Sequence, residues 1–429
     1  MAILPDVIDF ERLRVDRARL WRSLEAMAEV GGLPGGGCCR TALSEPDGRG
    51  RDLFVAWCRE AGCEIGIDQV GNIHACRRGR SPDSPAVATG SHLDTQPHGG
   101  RFDGVYGVLA GLEVVRTLND ARIETDAPID VIVWTNEEGA RFTPPLTGSS
   151  AFIGKMSVPF IHSVETIDGT TVRADLEKIG YLGAELPGTR RLACFFEAHI
   201  EQGPILEDEG LTIGVVTRIQ GIRFLRVDVT GEDGHAGTVP MDRRSDALVG
   251  AARMITALHD LALGSEPETR ITVGHIEVAP NAASTIPGRV EFSVDLRHPD
   301  GDRLNALHVE IDRRLHAVAD SMGLEVASRI VIDVAPVVFP KTLVETVRQA
   351  TARLGYRHRD MLSGAGHDAM NLAKVVPTAM IFVPCKDGLS HTEAESAKPE
   401  DLAAGANVLL HALLTQALTG QTGMTRHPA

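Results

Sequence analysis

Apolar residues recur at helical spacing across residues 7–29, where Ile8, Leu13, Leu20, Leu24 and Met27 line one stripe. A glycine-rich stretch, 31–37, ends that segment, and residues 52–61 read as a second helix closed by Gly62. Strands are predicted at 64–70 and 72–75, split by Gly71. The short, nearly continuous apolar runs at 86–89 and 130–134 predict strands buried on both faces of an α/β sheet. Residues 107–118, between them, have the length and spacing of a helix. Strand, helix, strand is a βαβ unit, whose strand ends are where ligands usually bind.

The texture changes near residue 213. Residues 213–216 and 224–230 predict strands, 244–263 a long helix, and 272–278 and 289–297 further strands. A second helix is predicted at 302–322 and a strand at 324–334. That ordering describes a compact α+β unit of the size of a small inserted domain. From Lys341 the pattern returns to helix (343–354), strand (378–383) and helix (399–418), and the tail 419–429 reads as frayed. The sequence therefore predicts one α/β domain built from 1–212 and 333–429, with 213–332 as an excursion from it.

With 429 residues, the chain is long enough for two or three domains. The 58 acids outweigh 43 bases, a net charge of −15 that argues against nucleic acid or an anionic membrane as partner. No run of 18 apolar residues exists, so no membrane span is expected. The first residues carry acids from Asp6 onward and lack the apolar core of a secretory signal. Seven cysteines without a C-x-x-C pair suggest reduced thiols, and a cytoplasmic location is expected.

Four polar motifs stand where predicted strands run into loops. They are Gly90-Ser91-His92-Leu93-Asp94-Thr95 with nearby Gly99-Gly100-Arg101-Phe102-Asp103-Gly104; Asn136-Glu137-Glu138-Gly139; Glu197-Ala198-His199-Ile200-Glu201-Gln202-Gly203-Pro204; and Leu389-Ser390-His391-Thr392-Glu393. A single histidine is more often structural, and adjacent acids usually form a solvated turn. Together, imidazoles and carboxylates on loops after buried strands suit Zn²⁺, Mn²⁺ or Co²⁺. A carboxylate can bridge two such cations. On an extended His-x-Asp segment both side chains point the same way, so Asp94 is expected to orient His92. Adjacent glutamates diverge, so one of the Glu137-Glu138 pair can ligate while the other stays free as a base.

These residues resemble the hydantoinase/carbamoylase branch of the peptidase-M20-like metallohydrolases, which includes N-carbamoyl-L-amino acid hydrolases, β-ureidopropionases and allantoate amidohydrolases. The likeness runs from Gly35-Gly36-Gly37 to His391-Thr392, and its most specific stretch is GSHLDTQPHGGRFDGVYGVLAGLE, residues 90–113. His92 and Asp103 stand 11 positions apart, the spacing of the amidohydrolase branch and not of its peptidase relatives. The resemblance implies two divalent metal ions (Zn, Mn, Co or Ni) per subunit. His92, Asp103 and His199 would hold one; Asp103, Glu138 and His391 would hold the other, with Glu137 as general base. It also implies that 213–332 is a lid and dimerisation domain of a homodimer, with His235 as oxyanion stabiliser and Arg297 as clamp for a substrate carboxylate. Gln202, Asn281, Gly364 and Gly366 would contact the substrate. Ser284 occupies the place, thirteen positions before Arg297, where the family usually has asparagine, and the shorter hydroxyl cannot supply both amide hydrogen bonds. The activity implied is hydrolysis of an N-carbamoyl-L-amino acid or N-carbamoyl-β-alanine. The alternatives are allantoate or ureidoglycolate hydrolysis, aminoacylase or dipeptidase action, and an inactive ligand-binding homologue.

Overall fold

A computed structural model describes residues 12–418. The chain lays down β1 (Glu64–Ile67), β2 (Ile73–Arg77), β3 (Ala86–His92), β4 (Ile129–Trp134), β5 (Leu192–Ile200) and β6 (Ile213–Ile219). Then come β7 (Gly221–Thr230), β8 (Gly234–His235), β9 (Arg270–Thr272), β10 (Ile276–Ala279), β11 (Thr285–Ile286), β12 (Arg289–His298) and β13 (Glu325–Val334). The last are β14 (Val337–Val338), β15 (His358–Ser363) and β16 (Thr378–Val383). The chain divides into two compact units, one of residues 1–217 with 339–429 and one of residues 218–338.

The larger unit is an α/β structure around a mixed sheet of order β1-β2-β4-β3-β5-β16-β6, with β15 beside β6; β14 pairs with the Arg218–Ile219 end of β6, past residue 217. Its centre is parallel: β3 runs with β4 and with β5, and β16 runs with β5. The helix Val105–Asp120 makes the crossover from β3 to β4, and it and the helix Pro399–Ala417 pack on the central strands. β3, β4 and β16 are buried along their whole length, as the nearly continuous apolar runs at 86–89 and 130–134 predict for the first two.

Where boundaries differ from the sequence pattern, local hydrogen bonding explains the shift. The first helix is Arg17–Ala28, because the Asp16 side chain takes the Arg19 N–H and caps it there; residues 7–11 lie outside the described residues, as does the tail 419–429. The second helix is Glu45–Glu60. It starts at a Ser44 cap with proline in the first turn, a start that Gly48 and Gly50 obscure in the apolar pattern. β1 stops at Ile67, because Asp68 Oδ1 accepts the N–H groups of Val70 and Asn72 and turns the chain. Residues 213–216, read as the opening of the excursion, lie in β6 and pair with β16 in the large sheet.

The smaller unit is α+β. Its antiparallel sheet has the order β10-β12-β7-β13, with β9 also on β12. β7 alternates strictly between buried and half-exposed positions, the signature of a sheet covered on one face. Leu225, Val227, Val229, Val290, Phe292, Val294 and Leu296 pack with Met254, Leu258, Leu307, Ile311 and Leu315 of the helices Ala247–Leu263 and Gly301–Met322 into one apolar core. The strand expected at 272–278 is divided into β9 and β10, both antiparallel to β12. No helix among the described residues is long and apolar enough to cross a membrane.

Candidate metal centre

Three parallel or near-central strands deliver the polar motifs. His92 is the last residue of β3, His199 the penultimate residue of β5, and the Glu137-Glu138 turn follows β4 directly. His391 lies on the loop after β16. Asp103 stands at the middle of them. Its Oδ1 is 3.7 Å from His92 Nε2 and 3.2 Å from His199 Nε2, and its Oδ2 is 3.4 Å from His391 Nε2. Glu138 Oε2 is 3.4 Å from the same His391 nitrogen, and Glu137 Oε2 is 3.6 Å from His92 Nε2. The two adjacent glutamates therefore diverge, one to each side of Asp103.

Some of the chain's left-handed backbone lies here. Asn136 (φ 53), Gln202 (φ 56) and His391 (φ 57) are all left-handed non-glycine residues beside or within the cluster. Gly104, at φ 66, follows Asp103; a Cβ there would run into the His92 ring, so only glycine lets the turn lie against that imidazole.

The histidines are set as ligands. His92 Nδ1 is 2.8 Å from the Asp94 carbonyl and His199 Nδ1 is 2.9 Å from the Ile200 carbonyl. A carbonyl only accepts, so Nδ1 carries a proton in each ring, and Nε2 is the nitrogen turned toward Asp103. Two groups of donor atoms, each within 4.8 Å of one another, result: His92–Asp103–His199 and Asp103–Glu138–His391. Burial pushes Glu138 up to about 8, with Asp103 adding to it, and pushes Glu137 well above the usual carboxylate range, with Asp368 and Glu138 adding to it. Burial opposes charge on His199, but the Asp103 carboxylate outweighs it and raises the ring to about 9. The same carboxylate raises His391 to about 9, while burial lowers His92 to about 4. Buried acids that resist ionisation, with three imidazole Nε2 atoms turned to one shared carboxylate, fit divalent cations, which supply positive charge in place of those protons.

A model of peptidase family M20/M25/M40 matches residues 88–415. The chain belongs to that family. The N-carbamoyl-L-amino-acid amidohydrolase of Rhizobium meliloti is 45% identical over 407 residues, which cover 95% of this chain and 98% of that one. The crystal structure of an amidase of the hydantoinase/carbamoylase family from Burkholderia multivorans superposes with a TM-score of 0.90 at 50% identity, covering 94% and 98%. The allantoate amidohydrolase of Escherichia coli (strain K12) is 32% identical, over 92% of this chain and 96% of its own.

The other candidate residues of this M20 family chain fall into two groups. In the larger unit, Gln202 Nε2 donates to Asp103 Oδ2 at 2.8 Å, and its Oε1 is buried with no hydrogen-bond partner. Gly364 is exposed and Gly366 half-buried in a loop held by Ser363, whose hydroxyl takes the Ala365 N–H and meets His367 Nε2 at 2.9 Å. In the smaller unit, β8 and β11 pair antiparallel, with Thr285 opposite His235, so the Ser284 carbonyl takes the Ala236 N–H at 2.9 Å. His235 is exposed, and its Nδ1 accepts the Gly237 N–H at 3.0 Å, which leaves the proton on Nε2 as a donor. Asn281 is exposed with φ 56. Arg297 grips Asp295 with both Nε and Nη2 at 2.9 Å.

One expected contact is replaced. The Asp94 carboxylate does not reach His92; it accepts the N–H groups of Glu137 (3.3 Å) and Glu138 (3.2 Å), while its backbone carbonyl orients the imidazole. β3 ends at His92, so the alternation that puts i and i+2 on one side does not extend to Asp94. Glu197, His367 and Glu395 are buried supports that the motifs alone do not single out. Glu197 lies two positions before His199 on β5, and its oxygens take the Ser91 hydroxyl (2.7 Å) and the Ala369 N–H (3.0 Å). With His199 and His367 it forms a third group of possible ligating atoms. The period-two spacing of Glu197 and His199 was the available signal.

Proposed function

We propose that this chain hydrolyses N-carbamoyl-L-amino acids, cleaving the carbamoyl C–N bond with water to yield the amino acid, carbon dioxide and ammonia. The observation that carries the reading is one buried carboxylate, Asp103, shared by two donor sets, with Glu137 beside the first of them. The relative at 45% identity is named for this activity, and the allantoate enzyme at 32% provides the second reading.

In this proposal His92, Asp103 and His199 hold one divalent cation, and Asp103, Glu138 and His391 hold the other. Such a pair, when bound, polarises the carbamoyl group and makes water acidic enough to lose a proton near neutral pH. Glu137 takes that proton and delivers it to the leaving nitrogen; a buried carboxyl pushed upward is suited to both steps. Gln202 Oε1, buried and without a partner, is an acceptor for a carbamoyl N–H. Arg297 clamps the amino-acid carboxylate with its fork in competition with Asp295, and His235 donates from Nε2 to the developing oxyanion. The subunits form a homodimer in which His235 serves the partner's site. Asn281, Ser284, Gly364 and Gly366 complete the substrate contacts.

An ammonia-release screen of metal-reconstituted protein tests the reading, with N-carbamoyl-L-amino acids, N-carbamoyl-β-alanine, allantoate and dipeptides as substrates. The highest kcat/KM is expected on an N-carbamoyl-L-amino acid. Turnover confined to allantoate replaces the proposal with its alternative, and turnover confined to dipeptides overturns both.

A further inference from the structure

Asp103 has a partner that no ligand motif contains. Glu395 is 2% exposed. Its Oε1 accepts the backbone N–H groups of Phe102 (2.7 Å) and Asp103 (3.1 Å), at the entry to the helix Val105–Asp120. Its Oε2 is 3.1 Å from the Ser390 hydroxyl, and that hydroxyl is 2.7 Å from Asp103 Oδ2. One side chain thus ties the turn that carries Asp103 to the loop that carries His391, two segments far apart in sequence.

The path to that position is cleared by glycine. A Cβ at Gly100 would collide with the Glu395 carboxylate, so any side chain there would displace the clamp. The two N–H groups lie just ahead of a helix, where donors lack intrahelical partners and negative charge is favoured. Without Glu395 they would be buried orphans, and the Asp103 turn would be free to rotate.

We infer that Glu395, acting through Ser390 and the 102–103 backbone, is a positioning residue that aims the two Asp103 oxygens at different histidines. Oδ1 then faces His92 and His199, and Oδ2 faces His391. Loss of the clamp weakens the cation that depends on Asp103 Oδ2, Glu138 and His391 more than the one held by His92 and His199. The inference rests on the two-cation reading given above.

The test is titration of metal-free protein with Mn²⁺ alone, followed calorimetrically and by electron paramagnetic resonance, with no substrate present. Glu395→Ala and Ser390→Ala should each weaken the second Mn²⁺ by about 10–100-fold, the usual cost of losing an outer-shell partner. Glu395→Gln keeps an acceptor for both N–H groups and a polar contact to Ser390, so it should restore most of the affinity. Ser390→Ala removes one hydroxyl and keeps the variant set interpretable if Glu395→Ala fails to fold. Wild-type affinity in Ser390→Ala and in folded Glu395→Ala, with only the unfolding midpoint lowered, overturns the inference and leaves the two-cation reading intact. A wild type that takes up no second Mn²⁺ overturns both.

Discussion

The two units solve the burial of polar groups in opposite ways. The larger interior holds His92, Asp94, Asp103, Glu197, His199 and Asp368 at 4% exposure or less. The smaller unit's core is apolar, and its candidate groups His235 and Ser284 stay exposed on and beside a short two-stranded ladder. Burying carboxylates costs several kcal/mol each unless something compensates, so the larger unit is built around a cation requirement. In the smaller unit His235 is hydrogen-bonded locally, through Gly237, and stays exposed.

Metal removal should separate the two units most strongly. Chelation is expected to abolish turnover, and Mn²⁺, Co²⁺, Ni²⁺ or Zn²⁺ to restore it. Amide exchange should accelerate near His92 and His199 and stay unchanged in β7 and β12. Full activity in protein shown by elemental analysis to be metal-free would break the comparison outright.

The adjacent glutamates sharpen it within the larger unit. Glu137→Gln should retain both metals and lose about 10²–10⁴-fold in kcat, the usual range for a general base. Glu138→Gln should instead lower metal content. Metal loss in the Glu137 variant with full occupancy in the Glu138 variant would reverse the two assignments.

The smallest effect belongs to the exposed residue. His235→Ala should cost about 10²–10³-fold in kcat, as expected for one lost oxyanion donor. Mixed with Glu137→Gln protein and allowed to exchange subunits, it should regain activity, because a mixed dimer has one site with both defects and one with neither. The ceiling is about a quarter of wild type, since half the dimers are mixed and each has one intact site. Verified exchange without recovered activity removes the trans role.

Period and motif carried much of this architecture. The nearly continuous apolar runs at 86–89 and 130–134 mark β3 and β4, because a strand covered on both faces has no polar alternation, and the strand pattern at 378–383 marks β16. The spacing of His92 and Asp103 and the divergence of Glu137 and Glu138 were likewise readable, since each depends on residues close in sequence. The helix Glu45–Glu60 begins ahead of the pattern at 52–61, because the Ser44 cap sets its start while Gly48 and Gly50 interrupt the apolar stripe.

What the sequence determined by itself is therefore local: element type, the polar motifs and the family they resemble. What tertiary structure decided is which distant groups share a charge. The assignment of β6 to the large sheet follows from pairing with β16, a partner more than 160 positions away, and no local pattern encodes it. Asp94 holds the Glu137-Glu138 turn through backbone N–H groups that only the parallel pairing of β3 and β4 brings within reach. Glu395 reaches Asp103 across 292 positions, and its role exists only because buried N–H groups must find an acceptor wherever the fold supplies one.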